Sequence, residues 1–153
     1  MIYIKKGDLL ESDCNVIIHQ ANCFTTMGSG IAKQIKAKYP EAYQADLNYH
    51  IPSGDMRRLG GFSVVKTIDG KFVVNMYSQF RYGKGKLHTD YSAFQKALKI
   101  IMMSVLHSGI RPMKIGMPYN IGCGLAGGDW NRVLEIIDQV AEEKNMDIYL
   151  YKL

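Results

Sequence analysis

The residues best placed to do chemistry lie in two glycine-rich stretches. One is Met27-Gly28-Ser29-Gly30-Ile31-Ala32. The other is Pro118-Tyr119-Asn120-Ile121-Gly122-Cys123-Gly124-Leu125-Ala126-Gly127-Gly128-Asp129-Trp130. Each follows an apolar run that reads as a strand, Val16–His19 before the first and Lys114–Met117 before the second. Each opens a helix-like run, to Tyr39 and to Lys144. A loop free of Cβ atoms lets an anion approach its backbone N–H groups, and the helix start adds a positive dipole end. Two such loops in one small domain predict a diphosphate gripped from both sides. Neither carries the six-position dinucleotide fingerprint or the Lys-Ser/Thr of a P-loop, and either alone also fits a tight strand-to-helix turn.

The other reactive groups are few. Cys14, Cys23 and Cys123 form no CxxC pair and no metal-ligand spacing, so no metal or cofactor is expected, and the odd count fits a reducing cytoplasm. Cys23 and Cys123 lie near the glycine loops, where each fits a nucleophile or an apolar filler. His19, Asp90 and Asp129 are candidate bases. His19 also fits a histidine hydrogen-bonded at the end of a buried strand, and both aspartates also fit helix N-caps.

The 153 residues are 47% hydrophobic and 22% charged, which predicts one folded domain spanning 1–153. The net charge of +5 is dispersed over Lys5-Lys6, Lys33 to Lys38, Arg57-Arg58 and Arg81 to Lys86. That fits a small anionic ligand and also weak nucleic-acid contact, and without a long basic block it reads mainly as a solvated surface. No signal peptide opens the sequence, and no apolar run approaches the roughly 18 residues of a membrane span. A cytoplasmic monomer is the expectation.

Strand-like runs are Ile2–Lys5, Val16–His19, Phe62–Thr67, Phe72–Tyr77, Lys114–Met117 and Asp147–Tyr151, with a hairpin signal at Asp69-Gly70. Helix-like runs are Ile31–Lys38, Glu41–Tyr49, Tyr91–His107 and Trp130–Lys144. In the third, Phe94, Leu98, Ile101, Val105 and Leu106 recur at helical spacing, with Thr89 or Asp90 as cap. In the last, Val133, Ile136, Ile137 and Val140 form the stripe. Alternating strands and helices predict an α/β domain, with a mixed, mostly parallel sheet covered on both faces and ligands beyond the strand ends.

Four pieces, in order across nearly the whole chain, resemble the macrodomain, a three-layer α/β/α module that binds ADP-ribose. They are Gly7-Asp8-Leu9-Leu10, His19-Gln20-Ala21-Asn22-Cys23, Gly28-Ser29-Gly30-Ile31-Ala32 and Tyr119 to Leu125. The Met27-Gly28-x-Gly30-Ile31-Ala32 and Ile121-Gly122-Cys123-Gly124-Leu125 loops are most similar to one branch. It contains the ADP-ribosyl-glutamate hydrolases, the antitoxin-type hydrolases of thymine-linked ADP-ribose and the yeast ADP-ribose-1″-phosphate phosphatase. The resemblance implies that Asp8, with Leu9 beside it, meets the adenine, and that Tyr151 (or Tyr149) faces it. It implies that Asn22 binds the distal ribose. The diphosphate would lie on Gly28, Ser29, Gly30 and Ile31, and on Asn120, Ile121, Gly122, Cys123, Gly124 and Leu125.

For activity, the resemblance implies hydrolysis of an ADP-ribose derivative at the distal ribose, with Asn22, His19 and Asp90 as the catalytic candidates. The glutamate-linkage relatives use a lysine and an aspartate whose positions fall here on Gln79 and Ala126, which cannot act as nucleophile and base. Lys84 and Lys86, in the loop from Arg81 to His88, are possible substitutes. The missing pair keeps a non-catalytic reader of ADP-ribosylated targets as the alternative. Nucleic acid is expected only as an ADP-ribosylated substrate.

Overall fold

The computed structural model describes all 153 residues. Six strands, β1 (Ile2–Lys6), β2 (Val16–Ala21), β3 (Phe62–Lys66), β4 (Phe72–Tyr77), β5 (Ile115–Pro118) and β6 (Ile148–Lys152), form one sheet in the order β1-β6-β5-β2-β4-β3. Every neighbouring pair is parallel except β3 and β4. Those two are joined by the Asp69-Gly70 turn, where Gly70 takes φ 86° and the Thr67 N–H donates to the Lys71 carbonyl at 2.7 Å. A left-handed turn residue is what glycine accepts at no steric cost.

Four helices cover the sheet: α1 (Gly30–Lys38), α2 (Pro40–Leu47), α3 (Tyr91–His107) and α4 (Trp130–Lys144). Side chains alternate across each strand, so neighbouring residues join opposite cores. Val16 and Ile18 of β2 and Val74 and Met76 of β4 enter a 20-residue core beneath α3 and α4. Ile17 and Val73 enter a nine-residue core with Ile35, Tyr39 and Ala42 of α1 and α2. His19, Asn75 and Tyr77 share that second face by the same alternation.

The α3 stripe is buried as expected at Phe94, Leu98, Ile101 and Val105, whereas Leu106 is 40% exposed. Leu106 follows Val105 directly, and a helix turns adjacent residues about 100° apart. Asp90, not Thr89, caps α3, its Oδ1 accepting from the Ala93 N–H at 2.9 Å. The second helix ends earlier than its sequence pattern indicates. Asn48 leaves helical geometry at φ −91°, ψ 4°, and Tyr49 turns to pack on Tyr77, ring centroids 5.1 Å apart. Two 3-10 turns, Leu9–Glu11 and Met56–Arg58, are capped by Asp8 and Asp55. No helix is long and apolar enough to cross a membrane.

Candidate functional site

The two glycine loops leave the C-terminal ends of β2 and β5, which are neighbours in the sheet, and so face each other. The first runs from Asn22 into α1. Ser29 stands at the N-cap but supplies no side-chain bond, and the N–H groups of Gly30, Ile31 and Ala32 find no acceptor within the chain. The second loop is shaped by Asn120 (φ 66°), Gly122 (φ 77°) and Gly127 (φ 73°). It closes on itself through Cys123 N–H to the Asn120 carbonyl (2.9 Å) and Gly128 N–H to the Gly122 carbonyl (2.9 Å). Thr89 Oγ1 also donates to the Gly122 carbonyl, at 2.5 Å. That folding uses up the carbonyls and leaves the N–H groups of Gly122, Gly124 and Leu125 without partners. Two rows of free donors, one at a helix start, therefore border one groove. Such an arrangement holds an anion.

The groove is open, about 310 Å³, with Ser29 to Ala32 on one side and Tyr119 to Gly122, Gly124 and Leu125 on the other. It runs into a more enclosed cavity of about 70 Å³, walled by Asn22, Met27, Gly28, Asp46, Gln79, Tyr82 and Ala126 among others. The structure thus brings together Asn22, Gly28, Ser29, Gly30, Ile31, Asn120, Ile121, Gly122, Gly124 and Leu125.

Asp8 and Tyr151 lie at the edge rather than in the groove wall, whereas Leu9 is buried in the nine-residue core and its side chain does not face a ligand. Gly7 N–H donates to the Lys152 carbonyl at 2.9 Å, which fastens the Asp8 turn to the end of β6. Tyr151 pairs in register with Pro118, which is part of the wall. Asp8 is exposed, and one of its oxygens already accepts from the Leu10 N–H at 3.0 Å.

Several reactive groups are placed away from the chemistry the sequence allowed them. His19 is fully buried and touches neither groove nor cavity. Its Nε2 lies 2.6 Å from Asn75 Oδ1, while the Asn75 amide donates to the Ala42 carbonyl and to Ser63 Oγ, both at 3.0 Å. That pattern assigns the proton to Nε2. Burial pushes the imidazole down to about 4, against the bond to Asn75. A neutral, enclosed ring cannot exchange protons with a ligand. Asp90 and Asp129 are both absorbed as caps, Asp129 accepting from the Asn131 N–H at 3.0 Å. Cys123 is left out of the groove wall and points its thiol at the Ile121 carbonyl, and burial raises both Cys123 and Cys23 to about 11. None of these thiols supplies a thiolate at neutral pH.

Asn22 is in the cavity wall, with its amide shared internally: Nδ2 donates to Thr26 Oγ1 at 2.6 Å and Oδ1 accepts from the Phe24 N–H at 2.8 Å. Each end keeps one further site for a ligand. Gln79 is held in the same way, accepting from Gln20 Nε2 (2.9 Å) and donating to the Arg81 carbonyl (2.7 Å). Lys84 and Lys86 are exposed and border an outer pocket with Leu87, Gly124 and Leu125, outside the enclosed cavity.

Sequence reasoning missed Gln20, Tyr82 and Asp46. Gln20 bridges the site, donating to Gln79 Oε1 and to Thr89 Oγ1 (3.0 Å) and accepting from Ser78 Oγ (2.6 Å). Its position inside the His19–Asn22 segment was the available signal. Asp46 is 1% exposed and paired with the equally buried Arg58 at 3.0 Å. Burial pushes its carboxyl above the usual carboxylate range, with Tyr77 and Arg58 pulling the other way.

The macro domain family model matches residues 18–137, which contain both glycine loops. The chain belongs to the macro domain family. It is 30% identical over 151 residues to human ADP-ribose glycohydrolase OARD1, covering 97% of this chain and 89% of that protein. It is 33% identical over 138 residues to an uncharacterized 17.5 kDa protein of Enterobacteria phage T4, covering 87% and 85%. Among solved structures, the macrodomain of Mycobacterium tuberculosis DarG superimposes with a TM-score of 0.78 at 25% identity, over 100% of this chain and 98% of that one. The mixed sheet between two helical layers is thus the macrodomain fold.

Proposed function

We propose that this protein binds ADP-ribose and hydrolyses an ADP-ribose derivative at the distal ribose, a 1″-phosphate or an ester or base adduct at C1″. The observation that carries the binding is the facing pair of unpartnered N–H rows, Gly30 to Ala32 and Gly122, Gly124 and Leu125. The diphosphate lies between them. The adenine extends past Tyr119 toward Asp8 and Tyr151, and the distal ribose enters the cavity beside Asn22. The name of the human relative supports a glycohydrolase.

Hydrolysis here proceeds without a lysine adduct, because Gln79 and Ala126 occupy the cavity wall. Water, positioned by Asn22 and the diphosphate, attacks C1″ as the leaving group departs with the bonding electron pair, and the water's proton passes to the leaving group or to solvent. Such a site favours good leaving groups over stable N-glycosidic arginine linkages. An amide at Gln79, which is no nucleophile, and the buried His19 also favour a second reading, a non-catalytic reader of ADP-ribosylated targets. Three free thiols fit a cytoplasmic protein.

Calorimetry with ADP-ribose tests the binding. Gly124→Glu is the informative variant, because a Cβ there meets nothing within 4 Å, whereas one on Gly122 comes within 3.0 Å of Gln20 Oε1 at φ +77°. It sets a carboxylate against the diphosphate without forcing the loop. Binding is expected to vanish, and unchanged affinity in the folded variant removes the site. Mass spectrometry of ADP-ribose 1″-phosphate and O-linked and base adducts separates hydrolase from reader.

A further inference from the structure

Beneath α2, four hydrogen bonds run in one direction through the protein, and a fifth meets them at their end. His19 Nε2–H donates to Asn75 Oδ1 (2.6 Å), and Asn75 Nδ2 donates to Ser63 Oγ (3.0 Å). Ser63 and Tyr77 hydroxyls are 2.8 Å apart, and Tyr77 OH donates to Asp46 Oδ1 at 2.7 Å. Because the Tyr77 proton goes to a carboxylate, Ser63 donates to Tyr77. The fifth bond reaches the same oxygen from the opposite side, from Arg58 Nη1 at 3.0 Å. Arg58 is itself fixed, through Nε to the Ile51 carbonyl (2.7 Å) and Nη2 to the Asp46 carbonyl (3.1 Å). Aligned donors polarise one another, so the chain stabilises negative charge at its terminus.

Everything converges on Oδ1. The other carboxylate oxygen, Oδ2, is buried and has no partner at all. A bare, buried carboxylate oxygen is costly, and folded proteins rarely leave one unmet. Asp46 is also the one carboxylate in the wall of the enclosed cavity, beside Asn22 and Ala21. Two donors pin the side chain through Oδ1, while Oδ2 has no partner, in a residue that lines the cavity.

We infer that Asp46 is the buried acceptor of the enclosed cavity, its Oδ2 taking a hydrogen bond from a hydroxyl of the bound sugar, directly or through one water. It is a specificity-determining residue: it selects a hydroxyl-bearing group at this end of the ligand. His19, Asn75, Ser63 and Tyr77 act through it as positioning residues. The inference rests on the reading that the distal ribose occupies this cavity.

The test compares ADP-ribose with ADP, which lacks the distal ribose, by calorimetry. Wild type is expected to prefer ADP-ribose. Asp46→Asn keeps the shape but puts N–H where the acceptor stood. It is expected to weaken ADP-ribose binding about tenfold or more while leaving ADP unchanged, since a hydrogen bond to a charged group is at stake. Loss of both ligands in proportion marks a structural role and overturns the inference. So does full preference for ADP-ribose in the variant. Equal binding of the two ligands by wild type overturns the placement of the ribose as well. Should Asp46→Asn fail to fold, a crystal structure of wild type with ADP-ribose decides: Oδ2 is expected within hydrogen-bond distance of a ribose hydroxyl or of a water bound to one. An Oδ2 still without a partner refutes the proposal.

Discussion

Acidification should unfold this protein earlier than its carboxylates alone require, and His19 is the reason. In the fold its imidazole is neutral, with Nε2–H bound to Asn75 and Nδ1 without a hydrogen-bond partner. Charging it means placing a cation in a dry core. Its pKa falls from the ordinary 6.5 to about 4. The unfolded chain therefore binds a proton that the folded chain refuses, and stability drops as pH falls between these values. At about 1.4 kcal/mol per pKa unit the full loss is about 3 kcal/mol, reached near pH 4, and about 2 kcal/mol is gone by pH 5. Above pH 6.5 the effect is absent. Because other groups titrate in the same range, the measurement is a difference. Urea unfolding of wild type and His19→Gln is followed from pH 7.5 to pH 4.5. Glutamine keeps an N–H for Asn75 but cannot take the proton. The wild type should lose about 2 kcal/mol more than the variant between pH 7.5 and pH 5. Parallel stability profiles would refute the burial argument and return His19 to consideration as a proton carrier at the site.

Other outcomes follow from single contacts. Gly116→Ala places a Cβ 2.6 Å from Leu9 Cδ1 and 2.7 Å from Cys14 Sγ, so denaturant unfolding should show a loss of about 1–3 kcal/mol. IDP-ribose should bind more weakly than ADP-ribose if Asp8 accepts from the adenine amine. Because Asp8 is exposed, calorimetry should find only about 1 kcal/mol, roughly fivefold. Iodoacetamide at pH 7.5 should leave ADP-ribose affinity unchanged, since Cys23 and Cys123 stay protonated up to about pH 11. Rapid alkylation with loss of binding would contradict that.

The sequence by itself determined the local structure: six strands, four helices and two glycine loops at strand ends. Those features depend on neighbours a few residues apart. Asp69-Gly70 turns a hairpin, Asp90 and Asp129 cap helices, and Gly122 takes a conformation that side chains resist. The groove residues were legible for the same reason, because backbone N–H groups need only a loop of the right shape to bind an anion. Titratable side chains were another matter. His19, Asp90 and Cys123 had the right chemistry in the right segments, but their protonation depends on burial and partners. His19 meets Asn75, 56 residues away, only because β2 and β4 pair in that register. Nothing in the local sequence distinguishes Asp46 from the other polar residues of its helix. Its enclosure with Arg58 and Tyr77 was decided by the rotation of α2 over the sheet and by the Met56–Arg58 turn. A charge's environment is set by residues distant in the chain, so tertiary structure alone decided which carboxylate faces the cavity.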